Sequence, residues 1–366
     1  MKFEILREAV LKPLQMVSGV VEKKQTLPIL SNVLINLKDG ELTITATDLE
    51  MEVIATTRVD TSASGSTTVP VRKFLDTCKT LTDESLITFS IDGSKAILTS
   101  DKTRFRLTTM PAEDFPVIDT KSQLFSFTLT QKALKRLIDK TSFAMAFQDV
   151  RFYLNGLLLE ITPQAIKTVA TDGHRLAICS LDAGAGVAED TSIIIPRKGV
   201  FEIARLLEDS EEEVEIVVGE NFIRIILEDV IFTSKLVDGK YPNYDSVIPK
   251  NTDKQILADK TLLRQCLIRT SILSNEKYRG IKLEISSGFL RASANNPDHE
   301  EAEDEILIDY EGEPVEIGFN VNYLLDAITA LDADTVELNI TDSNGSTLVK
   351  GVDDNDSQYV VMPMRL

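Results

Sequence analysis

Apolar residues along this 366-residue chain follow two alternating periods. Near the N-terminus Leu11 and Leu14 open a run at three- and four-residue spacing, the stripe of an amphipathic helix. Leu42, Ile44 and Ala46 then alternate with Thr43 and Thr45, the period of a half-buried strand, and Asp39-Gly40 before them is a turn pair that accepts positive φ. A second helix is predicted over 71–81, a second hairpin turning at Asp92-Gly93, and a closing strand over 105–110. Pro13 removes one backbone donor, so it either kinks the first helix or marks its early turns.

The same order is written three times. Leu134-Lys135-Arg136-Leu137 and Leu263-Arg264-Gln265-Cys266-Leu267 repeat the helix stripe, and 197–207 repeats the second helix. Gly219-Glu220 and Asn344-Gly345 repeat the second turn, before closing strands over 232–237 and 359–364. Ala46-Thr47-Asp48 returns as Ala170-Thr171-Asp172 and, degraded, as Ala294-Asn295-Asn296, with 124 residues between copies at each step. Gly93, Gly219 and Gly345 are spaced by 126. A period of that size is a domain, not a solenoid repeat. The pattern predicts an α+β chain of three similar domains, 1–122, 123–251 and 252–366, each with two helices packed on antiparallel sheets. An open row of such units leaves two bare sheet edges, and a second copy joined head to tail would close a ring and use them.

Composition narrows the function. No apolar run reaches the ~18 residues of a membrane span, and the opening Met1-Lys2-Phe3-Glu4-Ile5 lacks the core of a signal peptide. Cys78, Cys179 and Cys266 lie in different thirds, which suits buried thiols in a reducing cytoplasm. The net charge is −19, yet the helices expected over 6–24, 130–147 and 260–270 carry +2, +3 and +3. Repetition at equivalent positions points to a shared basic surface on an otherwise acidic body. No Gly-rich phosphate loop, G-x-S-x-G, H-E-x-x-H or C-x-x-C is present, so neither a catalytic residue nor a metal or cofactor is assigned. His174, one of two histidines, has no ligand partner at metal spacing and reads as a loop residue.

Seven stretches in order resemble the bacterial beta sliding clamp family, the beta subunit of the replicative polymerase. They are Leu27-Pro28-Ile29-Leu30, Thr47-Asp48-Leu49-Glu50-Met51-Glu52, Thr171-Asp172-Gly173-His174-Arg175-Leu176-Ala177, Phe232-Thr233-Ser234-Lys235-Leu236-Val237-Asp238-Gly239, Ser274-Asn275-Glu276-Lys277, Ala294-Asn295-Asn296-Pro297 and Val360-Val361-Met362-Pro363-Met364-Arg365-Leu366. The resemblance implies the DNA clamp fold, a head-to-tail homodimer forming a six-domain ring around duplex DNA, and no catalysis. Its implied partners are duplex DNA in any sequence, the clamp loader, the replicative polymerase catalytic subunit, and other polymerases and repair proteins carrying short linear motifs; no membrane is implied. The rival reading is a clamp-like acidic scaffold that binds partners without encircling DNA.

The resemblance also implies site residues. A peptide cleft maps onto Leu154, Thr171, Gly173, His174, Arg175, Leu176, Pro242 and Val247, with Tyr323, Ser346, Val360, Met362, Pro363, Met364 and Arg365. Methionines suit a cleft that takes several peptides. The stretch Tyr244-Asp245-Ser246 stands where relatives often carry basic residues, so the rim is expected to be more acidic. DNA contacts map onto Lys24, Gln148, Phe152 and Tyr153, with Arg72, Lys73, Arg197 and Lys198 as further lining. For the dimer interface, Phe105 and Leu107 would meet Ile272 and Leu273, while Arg104 and Lys73 face Asp298, Glu300, Glu301 and Glu303. On residue type alone that acidic run is more often just solvated surface, but opposite charges at the two ends of one chain suit head-to-tail closure.

Overall fold

The structure, a computed structural model, describes residues 1–22, 27–184, 186–187, 189–250 and 252–365, without the side chains of 61 and 62. Six α-helices are present among them: α1 (Arg7–Ser18), α2 (Val71–Thr80), α3 (Gln131–Asp139), α4 (Arg197–Leu206), α5 (Lys260–Ser271) and α6 (Val321–Ala330). All strand pairs in the four sheets are antiparallel, as in the α+β reading. The chain divides into two compact units, 1–132 with 201–236, and 133–200 with 237–366.

In the first unit a five-stranded sheet runs in the order Asp60–Ala63, Lys2–Leu6, Leu86–Asp92, Lys95–Ser100, Thr103–Thr108. Beside it an eight-stranded sheet joins four strands of the first repeat to four of the second. The join is Val230–Lys235 against Met51–Arg58, with Phe232 opposite Val53. The second unit repeats the device. There Arg175–Leu181 pairs with Ser357–Val361, making one eight-stranded sheet from the second and third repeats, with Leu176 opposite Val360. A four-stranded sheet, Glu301–Leu307, Phe289–Asn295, Gly280–Ser286, Val315–Asn320, completes it.

Local chemistry explains why the tripeptide recurs. Asp48 Oδ1 accepts from the amides of Glu50 (2.9 Å) and Met51 (2.7 Å), and Thr47 Oγ1 donates to the Met51 carbonyl at 2.7 Å. Asp172 Oδ1 does the same for His174 (2.9 Å) and Arg175 (3.1 Å), with Thr171 Oγ1 on the Arg175 carbonyl at 2.6 Å. In the third copy Asn296 Oδ1 accepts from Asp298 and Glu300, both at 3.0 Å. Each turn is built from its own side chains, which is why its residue types persist.

Several expectations are corrected. The first helix ends at Ser18, not near 24, because the Arg205 guanidinium takes the last carbonyls, those of Gln15 (3.4 Å) and Met16 (2.5 Å). Pro13 lies in the middle of α1, not its early turns. The helix opening the second copy stops at Asp139; Thr141 turns out of the helical region at φ −130° and a short 3-10 turn, Ser142–Ala144, follows. Of the three turn glycines only Gly93 has positive φ, whereas Gly219 is required because the Phe222 ring fills the place of a Cβ. Asp39 and Gly40 both take positive φ (52° and 81°), as the turn pair predicts.

Candidate peptide-binding cleft

The second turn of the Thr-Asp type sets the geometry of the cleft. By holding Gly173 at φ +89°, it carries the chain from strand Ile166–Thr171 into strand Arg175–Leu181 and aims Arg175 inward. A side chain at position 173 would sit in the left-handed region and meet the Arg151 guanidinium 3.0 Å away, so glycine is needed there. Arg175 is then fixed on every side: Nε to Asp172 at 3.1 Å, Nη1 to Asp326 of α6 at 2.5 Å, and Nη2 to the Phe143 carbonyl at 2.6 Å. Its guanidinium also lies over Tyr323 (4.6 Å) and Phe143 (5.4 Å).

These elements enclose a cavity of about 210 Å³ within the second unit. Nine of the fifteen expected residues line it: Leu154, Thr171, Gly173, Arg175, Leu176, Pro242, Val247, Val360 and Met362. Its floor is continuous with a core cluster containing Leu154, Leu176, Tyr241, Tyr244 and Val360. His174, Tyr323, Ser346, Pro363, Met364 and Arg365 are not among the lining residues. His174 stacks on Tyr323 at 6.4 Å and its carbonyl accepts from the Met362 amide at 2.9 Å, which holds the tail beside the cleft. The Met364 amide turns away to the Gly318 carbonyl at 2.8 Å.

Three lining residues escaped the sequence reading: Arg151, Asn243 and Tyr244. Tyr244, grouped there with the rim, is a buried wall residue whose hydroxyl donates to Glu160 at 2.6 Å. An aromatic between Pro242 and Val247 was the available signal. Asp245, next to Tyr244, is exposed. Arg151 grips Asp149 through two hydrogen bonds (3.0 and 2.9 Å), and that contact holds the Asp149 carboxyl down at about 2.

Burial pushes the phenols of Tyr241, Tyr244 and Tyr359 well above the ordinary value, and the neighbouring Glu160 carboxylate raises Tyr244 further. A raised phenol favours its protonated form in the folded state. This stability is therefore fully present below pH ~10, the unfolded value, and lost as pH rises beyond it. We expect stability, and with it the unfolding temperature, to fall as pH rises from about 10, with a free-energy loss of up to about 1.4 kcal/mol at pH 11 for each suppressed ionisation. Tyr244→Phe should flatten that fall in a thermal melt series; an unchanged slope would show that the phenol ionises freely.

The expected DNA contacts are spread more widely. Arg72 and Lys73 are exposed in the first turn of α2, and Arg197 and Lys198 occupy the first turn of α4. Arg197 is partly committed to the Met145 carbonyl (2.8 Å) and the Phe147 ring (5.8 Å). Gln148 (φ 56°) and Phe152 (56% exposed) sit on one loop, with Tyr153 edge-on to Phe152 at 5.8 Å. Lys24 lies outside the described residues. The basic surface expected of the leading helices is corrected in part. Arg7 pairs with Asp83, Lys132 with Glu211, Lys135 with Asp139, Lys140 with Asp332 and Arg269 with Asp304. Lys12 remains exposed on α1, but Asp83, Glu211, Asp332 and Asp304, all outside the leading helices, answer half of their summed charge of +8.

At the expected dimer edges, Arg104 is exposed and Phe105 half-buried, whereas the side chain of Leu107 is enclosed in its own module (8% exposed) and offers only backbone. Ile272 is 72% exposed just past α5, with Leu273 half-buried beside it. Asp298, Glu300, Glu301 and Glu303 are all exposed, as is Lys73.

An α+β chain with three equivalent modules, joined by strand pairing and carrying an apolar cleft, has the build of a clamp that tethers partners. Comparison with known proteins gives the family. Models for the N-terminal, central and C-terminal domains of the DNA polymerase III beta subunit match residues 1–119, 128–243 and 245–365. The beta sliding clamp of Pseudomonas aeruginosa is 50% identical and that of Escherichia coli K12 is 47% identical, each over the full length of both chains. The crystal structure of the Pseudomonas aeruginosa subunit superposes with a TM-score of 0.97 at 50% identity over all of both chains, and the same clamp bound to griselimycin also gives 0.97 with the same coverage and identity. A Caulobacter crescentus clamp at 35% identity, covering 100% of this chain and 99% of that one, gives 0.96. The chain belongs to the DNA polymerase III beta subunit family, the beta sliding clamps, which serve replication as processivity factors and not as catalysts.

Proposed function

We propose that two copies of this chain close head to tail into a six-module ring around duplex DNA, and that each cleft receives linear motifs of replication and repair partners. The observation that carries the ring is which strands pair and which are left over. Within the chain, the last strand of a repeat pairs with the fourth strand of its neighbour: Val230–Lys235 with Met51–Arg58, and Ser357–Val361 with Arg175–Leu181. The equivalents left over are Thr103–Thr108, last strand of the first repeat, and Glu301–Leu307, fourth strand of the last. Both lie at sheet edges. Pairing them between two copies applies the same rule a third time and removes both edges.

Charge supports that pairing. Arg104 and Arg106 project from one edge, and Glu301, Glu303 and Glu305 from the other. Such exposed pairs contribute only ~0–1 kcal/mol each, so they steer register while apolar contact and backbone hydrogen bonds supply the affinity. Ile272 and Leu273, with the exposed Leu307 (82%) at the end of its strand, supply apolar area on the acidic side.

For DNA, Arg72-Lys73 and Arg197-Lys198 repeat a basic pair at equivalent helix starts, joined by Lys24, Gln148, Phe152 and Tyr153. Contacts to phosphate alone leave sequence unread, which sliding requires. For the cleft, the clamp loader, the polymerase catalytic subunit and other motif-bearing polymerases and repair proteins would take turns at one site. Module boundaries at 122 and 251 follow from the repeat. Buried, unpaired Cys78, Cys179 and Cys266 suit a reducing cytoplasm. The test is whether chains loaded on circular duplex outlast high salt and leave when the circle is cut.

A further inference from the structure

The seam between strands Arg175–Leu181 and Ser357–Val361 carries an ion cluster at each end. At the cleft end Leu176 faces Val360, both line the cavity, and Arg175 reaches Asp326 at 2.5 Å. At the far end, where Cys179 faces Ser357, α3 supplies a second cluster. Lys140 is only 8% exposed; its Nζ meets Asp332 Oδ1 at 2.5 Å and donates to the carbonyl of Ala330, the last residue of α6. Arg136 of α3 lies 3.7 Å from Asp332 and 3.5 Å from Asp356, and donates to Cys179 Sγ at 3.7 Å. Ser357 Oγ contacts the same sulfur at 3.7 Å.

We infer that this cluster is a latch, and that Lys140 and Asp332 are positioning residues for capture of a peptide in the cleft. The inference rests on the cleft reading above. The cavity walls come from both sides of the seam: Leu154, Thr171 and Leu176 belong to the second repeat, Val360 and Met362 to the third. A strand pair alone is a hinge, free to twist about its own length. An ammonium that has lost its water needs directional partners, and a carboxylate plus a carbonyl fix it in direction as well as distance. Apolar packing would fill the same space without fixing the angle. With the far end latched to α3, the twist is held and Val360 and Met362 stay facing Leu154 and Leu176. No latch residue lines the cavity, so an effect on binding has to pass through that geometry.

The test measures griselimycin affinity, since that compound is bound by relatives, on full-length dimers well below each unfolding temperature. Asp332→Asn keeps the shape and removes the charge; we expect its Kd to rise about fivefold or more, the lower end of ordinary coupling between sites. Lys140→Met with Asp332→Asn should regain thermal stability, because no desolvated ammonium is left and Asp332 is itself largely exposed, yet stay weak in binding. Affinity that recovers together with stability would make the latch merely structural and overturn the inference. So would wild-type affinity in a folded Asp332→Asn. If that variant does not fold, Asp356→Asn, the other carboxylate beside Arg136, replaces it with an expected loss of about twofold, and an unchanged Kd there overturns the inference equally. Leu176→Ala is the control: if it binds as the wild type does, or the wild type binds nothing, the cleft reading falls and the latch with it.

Discussion

Replacing Ile272 and Leu273 together by alanine turns an assembly of about 81 kDa, twice the 40.6 kDa chain, into single chains at micromolar concentration. Ile272 stands 72% exposed in the isolated chain, a large aliphatic side chain with little cover of its own. If the ring closes as proposed, it becomes buried against the edge bearing Phe105. Truncating a buried aliphatic side chain costs ~2–5 kcal/mol, so two together weaken the dimer by roughly a thousandfold or more. Removing the Arg104 charge alone should barely shift the equilibrium, since exposed ion pairs contribute ~0–1 kcal/mol. Sedimentation analysis of both variants checks this. A double variant that stays at twice the chain mass would place the interface elsewhere and leave the two edge strands unexplained.

The second large effect concerns the tail. Deleting residues 362–366 should lower griselimycin affinity by about 30–100-fold, or ~2–3 kcal/mol, while the dimer survives. Met362 lines the cavity and its amide is held by the His174 carbonyl at 2.9 Å. Strand Ser357–Val361 ends before the deletion, so the seam that builds the cleft is kept. The proposed ring edges, Thr103–Thr108 and Glu301–Leu307, are untouched. Titration calorimetry with the sedimentation profile separates the two effects. Unchanged affinity would remove the tail from the site; loss of the dimer would show that the tail serves assembly.

What the sequence made legible was chemistry that is local. The Thr-Asp turns hold themselves together within five residues, so Asp48 and Asp172 announce the repeat without any tertiary knowledge. Asp39-Gly40 was readable for the same reason. Helix lengths were not, because α1 is stopped by Arg205, a residue nearly two hundred positions away. The basic surface was overread on similar grounds. Lys140 looks like a solvent-facing helix lysine until Asp332 and the Ala330 carbonyl arrive from the third repeat. The cleft was legible through its resemblance to a family; its buried Tyr244 wall was not, since the pattern around Pro242 has no period that marks one face.

The central claim is that the hold on DNA is topological. Chains loaded by a clamp loader with ATP onto a nicked circular plasmid should withstand a high-salt wash that removes ordinary phosphate contacts. Cutting the same plasmid once should release them. Retention on the circle with loss from the linear form is the result this account predicts; equal loss from both would contradict it and leave an acidic scaffold that binds partners without enclosing DNA.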